Sequence, residues 1–314
     1  MIPFAVAGVQ MNVSATDENV TAMKHKIAQV MARFPWVQMI LFSELATFGP
    51  LPKHHPESIE PIENEFRELA ARHGIWLLPG SIFERRGDRL YNTASVIDPA
   101  GEVVGRHRKM FPFAPYEAGV EGGTEFLVFD VPEVGRFGVS ICYDIWFPET
   151  TRTLTAMGAE VLLHPVLTST IDREVELSIA RATAAMFQCY VFDVNGLGAG
   201  GTGRSSVIDP AGTVLYQAGG QDEIIPVEID LEQVRRQRAV GIRGLGQTLK
   251  SFRDRAVEFD VYDRGYFDES YLDSIGPLEM PEKGGRAGLE KGHEPATSEH
   301  DKMPKGGKVH RLRK

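Results

Sequence analysis

Over most of its length the chain alternates short apolar runs of strand character with longer runs of helical periodicity. This pattern restricts it to α/β architecture with buried strands. Phe4 to Val9 reads as a strand, Asp17 to Arg33 as a helix, and Trp36 to Phe42 as a second strand ending in Ser43-Glu44. The spacing then predicts a helix from Ile62 to Arg72 and a strand from Ile75 to Phe83. A strand pair follows from Tyr91 to His107, around the turn Asp98-Pro99-Ala100-Gly101. Strands Phe126 to Val131 and Arg136 to Ile141, a helix from about Pro148, a strand Glu160 to His164, a helix Asp172 to Gln188 and a strand Tyr190 to Asn195 complete the pattern. The order is mixed and not purely βαβ.

One octet recurs. Ala94-Ser95-Val96-Ile97-Asp98-Pro99-Ala100-Gly101 is echoed by Ser205-Ser206-Val207-Ile208-Asp209-Pro210-Ala211-Gly212, each within a strand-turn-strand unit. A common hairpin recurring by chance accounts for this, and so does a fold whose two halves share a topology, each giving one sheet to one core with helices outside. The second reading is favoured, as a single domain over residues 1–275. From about Gly276, Pro277, Pro281, Pro295 and Pro304 stand among Gly, Lys and Glu with almost no large apolar side chains. Such a stretch buries too little surface to offset its ordering entropy, so residues 276–314 read as a flexible tail.

Charge and cysteine usage narrow the function. The net charge is -9, carried as +3 in the tail and -12 in the rest, which repels phosphates and argues against nucleic acid as partner. A small molecule is the expected substrate. The two cysteines, Cys142 and Cys189, are too few for a disulfide framework and fit a reducing cytoplasm. No uncharged apolar run approaches the length of a membrane span, and Met1 to Gln10 lacks the basic flank of a signal peptide.

The stretch richest in chemistry is Arg136 to Glu149, where an apolar strand runs into Cys142 and Pro148 suits the first turn of a helix. A thiol at such a corner is exposed beside backbone N–H groups able to hold an oxyanion. A buried inert cysteine is the competing reading. A thiol nucleophile needs a base and an anion-stabilising partner. Glu44 follows the apolar run Met39-Ile40-Leu41-Phe42, a costly place for a carboxylate unless it is paired or used, and Lys109 likewise ends a strand before an apolar loop. Singly, each reads as a solvated strand-end charge; with Cys142 they form a Glu, Lys, Cys series.

That series resembles the nitrilase (carbon-nitrogen hydrolase) superfamily over roughly residues 1 to 260. The matching motifs are Phe42-Ser43-Glu44-Leu45, Arg108-Lys109-Met110-Phe111-Pro112, and Ile141-Cys142-Tyr143-Asp144 followed by Phe147-Pro148-Glu149. The resemblance implies a four-layer αββα sandwich with two mixed β-sheets, a homo-oligomer, and no metal or organic cofactor. It implies Glu44 as general base, Lys109 as stabiliser of the tetrahedral intermediate and Cys142 as nucleophile. Tyr116-Glu117-Ala118-Gly119 resembles the element that carries a second glutamate in many members, which makes Glu117 the candidate, with Glu121 and Glu125 as neighbours in competition.

The family often has Arg where Trp146 stands. With Phe48, Phe113 and Tyr116, Trp146 suggests an aromatic-walled pocket that also takes in Tyr143 and His164, suited to apolar acyl groups. Arg173 and Arg181 are the candidate partners for a substrate carboxylate. Nitrile-cleaving members typically show Cys-Trp-Glu at the nucleophile, so Cys142-Tyr143-Asp144 favours a small amide as substrate over a nitrile. An N-carbamoyl amino acid is a further alternative, and a non-catalytic binding protein is the alternative outside enzymes. Two other motifs lead elsewhere. Gly196-Leu197-Gly198-Ala199-Gly200-Gly201 matches a dinucleotide loop but precedes an apparent strand where a helix is needed, and His54-His55 with His73 lacks metal-ligand spacing.

Overall fold

The computed structural model describes residues 3–114, 116–263 and 268–278. The chain divides into two units, Met1–Asp263 and Arg264–Lys314. The first carries two large sheets and a two-stranded one that pairs Asn12–Val13 with Leu197–Gly198; in the second, the described residues hold the short helix Ser270–Ser274. Most of the expected tail, from residue 279 onward, lies outside the described residues.

A seven-stranded sheet runs in the order Glu223–Ile229, Phe4–Gln10, Met39–Phe42, Trp76–Leu78, Arg89–Ile97, Ile82–Arg86, with Val103–Arg108 also paired to Arg89–Ile97. A six-stranded sheet runs Val214–Gln217, Ser206–Ile208, Tyr190–Asn195, Val161–Val166, Gly135–Val139, Leu127–Val131. Both are mixed. In each, three parallel neighbours are followed by an antiparallel hairpin, and an antiparallel strand closes the other side.

Alternation of side chains along the strands builds the layers. Met39, Leu41, Trp76 and Leu78 meet Phe137, Val139, Val161, Leu163 and Phe192 between the sheets. The intervening Ile40, Phe42 and Leu77 pack outward against Met23, Ile27 and Val30 of helix Val20–Arg33 and Phe66 of helix Glu60–His73. Leu162 and Val191 do the same against Leu154 of helix Pro148–Ala156 and Ala180, Ala184 and Phe187 of helix Arg173–Phe187. The result is the αββα sandwich. Both strand faces are covered, which is why Phe4–Gln10 is buried at every residue and reads as a continuous apolar run.

The repeated octet is one structural device used twice. In each copy the Asp amide bonds the carbonyl of the residue four on (Asp98 to Glu102, Asp209 to Thr213, both 2.9 Å). The Asp carboxylate accepts from Ala100 and Glu102, or from Ala211 and Thr213. The glycine that closes the turn is left-handed in both, at φ 82° for Gly101 and 80° for Gly212. One copy sits in each sheet.

Some boundaries differ from the sequence expectation. The first helix starts at Val20 because Ser14, Asp17 and Asn19 are bound into a hydrogen-bonded turn before it. The strand expected from Ile75 to Phe83 is two, split at Pro79-Gly80. Gly80 has φ 77°, and a Cβ there would stand 1.9 Å from the Ser43 carbonyl oxygen, so only glycine lets the chain pass the turn carrying Glu44.

Candidate active site

Strand Gly135–Val139 delivers the chain through Ser140 and Ile141 to Cys142, where a 3₁₀ helix Cys142–Trp146 begins. Cys142 has φ 45°, a left-handed conformation that costs an L-residue about 1 to 2 kcal/mol. Asp144 holds the corner in place. Its Oδ2 accepts from Ile141 N at 2.9 Å and from His107 Nε2 at 3.0 Å, and its Oδ1 accepts from Met110 N and Phe111 N, both 2.9 Å. One fully buried carboxylate therefore ties the cysteine corner to the loop that follows Lys109.

Glu44 ends strand Met39–Phe42, and its amide reaches across to the Val166 carbonyl of the other sheet at 3.2 Å. Lys109 ends strand Val103–Arg108 and is 1% exposed. Its Nζ donates to Glu44 Oε1 at 2.8 Å and to Glu117 Oε2 at 2.6 Å. Asn92, inside strand Arg89–Ile97, spans the two carboxylates with one amide nitrogen, at 2.8 Å from Glu44 Oε1 and 3.2 Å from Glu117 Oε1. Glu117 Oε2 also accepts from Phe113 N at 2.6 Å. Cys142 Sγ lies 3.8 Å from the Leu167 carbonyl oxygen.

The fields in this cluster oppose one another. Burial raises the Glu44 carboxyl, the Lys109 ammonium opposes that, and the Glu117 charge raises it again. Burial works against the Lys109 ammonium, but the charges of Glu44 and Glu117 outweigh it and hold the group protonated. Burial and the neighbouring Glu44 push the Cys142 thiol well above its ordinary value despite Lys109, and Glu176 adds to the rise. The resting site thus pairs a neutral thiol with a carboxylate of increased basicity and a fixed cation. That combination suits proton removal during attack, not a standing thiolate.

The thiol opens into a pocket of about 510 Å³ lined by Phe113, Tyr116, Tyr143, Trp146, residues 167–172 and Glu176. Phe113 stacks on Tyr116 at 5.2 Å and meets Tyr143 edge-on at 5.0 Å, and Tyr143 contacts Trp146 at 5.8 Å, giving one aromatic wall.

Two of the residues expected in that wall are elsewhere. Phe48 packs beside His55, at 5.4 Å, in the outer layer. His164 is buried in its strand, its Nδ1 2.7 Å from Ser140 Oγ, so its place in a pocket wall is corrected to a core position behind the cysteine strand. Glu121 and Glu125 line a separate crevice with Arg86 and Arg89. Arg181 bonds the Gly212 carbonyl, and both ring nitrogens of His55 are occupied by Gly49 O and Phe83 N. The glycine-rich stretch leads into strand Ser206–Ile208.

Sequence reasoning did not select Asn92, Asp144 or Glu176. Asn92 was legible as a polar residue inside an apolar strand, and Glu176 as a carboxylate on the buried stripe Leu177, Ala180, Ala184, Phe187 of its helix. The role of Asp144 depends on loops distant in sequence.

The two thiols differ in access. Cys189 is fully buried, and its thiol is pushed up to about 12 by burial, whereas Cys142 has a pocket and an adjacent base. Alkylation of the folded protein with peptide mapping is expected to label Cys142 first and to remove activity with it. Labelling of Cys189 with activity retained would exclude Cys142 as the nucleophile.

The carbon-nitrogen hydrolase family pattern matches residues 5–239, from the first strand into the helix Leu231–Val240. A 2-oxoglutaramate amidase of Bacillus subtilis is 33% identical over 177 residues, covering 53% of this chain and 66% of that protein. An omega-amidase of Xenopus tropicalis is 32% identical over 215 residues, covering 59% of this chain and 77% of the relative. The crystal structure of Saccharomyces cerevisiae Nit3, a member of branch 10 of the nitrilase superfamily, superposes with a TM-score of 0.69 at 26% identity, over 76% of this chain and 93% of that one. Since the family pattern takes in both sheets and every strand end that carries the cluster around Cys142, the chain belongs to the carbon-nitrogen hydrolase family of the nitrilase superfamily.

Proposed function

We propose that the protein is an amidase that hydrolyses a small amide to a carboxylic acid and ammonia or an amine through a thioester on Cys142. The observation that carries this reading is the bonded set Glu44, Lys109 and Glu117, of which Glu44 and Lys109 act on the Cys142 thiol, and that thiol lines a pocket. The names of the relatives, a 2-oxoglutaramate amidase and an omega-amidase, support an amide substrate.

Glu44 takes the Cys142 proton as sulfur attacks the amide carbon. The oxyanion is received by Lys109 Nζ and by the Tyr143 amide, which precedes the first internal bond of its 3₁₀ helix, from Asp144 N to Ile141 O. Collapse of the intermediate breaks the C–N bond, and Glu44 returns the proton to the leaving nitrogen. Water, giving a proton to Glu44, then attacks the thioester, and the acid departs as the thiol is restored. Glu117 keeps Lys109 aimed and orients the amide nitrogen or the water.

Among the described residues no helix is long and apolar enough to cross a membrane. Two free cysteines support a cytoplasmic setting, and the family resemblance supports a homo-oligomer.

The test measures ammonia release over aliphatic amides, nitriles and N-carbamoyl amino acids, with intact mass recorded during turnover. Amides are expected to react, with an acyl adduct on Cys142 and no turnover by Cys142→Ala. Release from nitriles or carbamoyl compounds alone would overturn the amide assignment, and a stable adduct without product would favour a binding protein.

A further inference from the structure

Resting on the amidase reading, we infer that Glu176 determines specificity. Its carboxylate, set in the wall of the Cys142 pocket, receives an ammonium at the far end of the substrate's acyl chain, so the site prefers amino-substituted small amides to amides that end in a carboxylate.

Glu176 lies on helix Arg173–Phe187, is 4% exposed, and lines the same pocket as Cys142. In a pocket of about 510 Å³ the two groups are within range of one small ligand. Among the described lining residues the only other carboxylate is Asp172, and none is Lys, Arg or His. A carboxylate entering this pocket meets the acidic groups Glu176 and Asp172, and no cation among the described lining residues.

Arg173, the cation bonded to Glu176, is already consumed. Arg173 is 2% exposed, and its donors are all directed within the protein: Nε to Gly203 O, Nη1 to Glu176 and Asp193, and Nη2 to Asp193 and Arg204 O. With every N–H engaged, Arg173 has none to offer a ligand. Asp193 takes two of these bonds, so Arg173 balances Asp193 and leaves Glu176 as the surplus carboxylate of the cluster.

The two oxygens of Glu176 are unequally used. Oε2 accepts from Thr168 Oγ1 at 2.5 Å and from Arg173 at 3.3 Å, whereas the bond to Oε1 is from Trp146 Nε1 at 3.5 Å, the outer limit of hydrogen bonding. Oε1 therefore retains acceptor capacity beside the aromatic wall. Burial raises the Glu176 carboxyl to about 7, so a charged amine arriving there relieves an unfavourable desolvation that nothing in the free protein fully offsets. The indole of Trp146 supplies an electron-rich ring at the same place.

The experiment compares pentanamide, 4-aminobutanamide and succinamate, which are close in length and end in methyl, ammonium and carboxylate. The wild-type kcat/KM is expected to favour 4-aminobutanamide over pentanamide by about tenfold or more, with succinamate slowest, because a buried charge-assisted bond is gained in one case and a like-charge approach is met in the other. Glu176→Gln is expected to bring the amine and methyl substrates to within about threefold of each other, since the charge is lost at constant shape. Succinamate turned over as fast as pentanamide, or an amine preference unchanged in Glu176→Gln, overturns the assignment.

Should none of the amides be hydrolysed, the amidase reading fails by that result alone. Calorimetric binding of the same three compounds to Cys142→Ala then decides the Glu176 assignment separately, with tightest binding of 4-aminobutanamide expected and equal or tighter binding of succinamate against it. These measurements on wild type and Cys142→Ala also decide it if Glu176→Gln does not fold.

Discussion

Lys109→Arg lowers kcat/KM by about 100- to 1,000-fold while the folded protein persists, the loss expected when one oxyanion donor is misplaced. Charge is conserved by the change, so the effect isolates geometry. Lys109 is 1% exposed and its Nζ is held between Glu44 at 2.8 Å and Glu117 at 2.6 Å. A compact ammonium meets both carboxylates and still has a third N–H for the oxyanion formed at Cys142. A planar guanidinium is larger, pairs carboxylates two bonds at a time, and would turn its remaining donors out of line with Cys142. Steady-state kinetics on the lead amide, with circular dichroism to confirm the fold, checks the result. Activity within about threefold of wild type would mean that Lys109 serves only to neutralise its two neighbours.

Asp144→Ala is expected to have the largest effect on stability of any single change near the site, on the order of 3 to 5 kcal/mol. The carboxylate is fully buried and accepts from three backbone amides, Ile141, Met110 and Phe111, as well as from His107. Removing it leaves those donors dry and unpaired. Activity should fall further than the folded fraction does, because the same bonds align the Cys142 corner with the Lys109 loop. Asp144→Asn separates the two consequences. It keeps the volume and one acceptor oxygen but presents N–H groups to N–H groups at the other position, so it too should be destabilised. Thermal unfolding and kinetics measured well below the transition check both; a loss of less than about 1 kcal/mol with unchanged kcat would show that water replaces the carboxylate without cost.

The two halves of the sandwich were legible because burial on both strand faces leaves a one-dimensional trace. Apolar runs such as residues 4–9 and 161–163 arise where both faces of a strand are covered. The repeated octet was legible for a related reason. Its Asp, Pro and Gly meet strictly local demands, an Asx-type turn closed by a left-handed residue, which any copy must satisfy alone.

The boundaries that shifted were those decided by contacts beyond the local chain. The break at Gly80, for instance, is set by the close passage of the Ser43 carbonyl, nearly forty residues earlier in the chain.

The same division holds at the site. Glu44 and Cys142 each follow an apolar strand and Lys109 ends a strand before an apolar loop; singly ambiguous, the three could be chosen from sequence because their series resembles the nitrilase superfamily. Their meeting point could not be read in that way: strand order brings residues separated by 65 positions to 2.8 Å, and nothing in the local pattern encodes that order. Pocket membership was less legible still. Phe48 and His164 have the right chemistry, but side-chain direction on their elements turns them into the packed layers. Glu176, hidden in an amphipathic helix, lines the Cys142 pocket and shares its bonded cation, Arg173, with Asp193, which takes two of that guanidinium's bonds. Sequence alone determined the layers, the hairpins and the reactive residue types, all products of local burial and backbone preference. Tertiary structure alone decided which charges neutralise each other and which lines the pocket, because electrostatic pairing depends on distances that the chain sets only once it is folded.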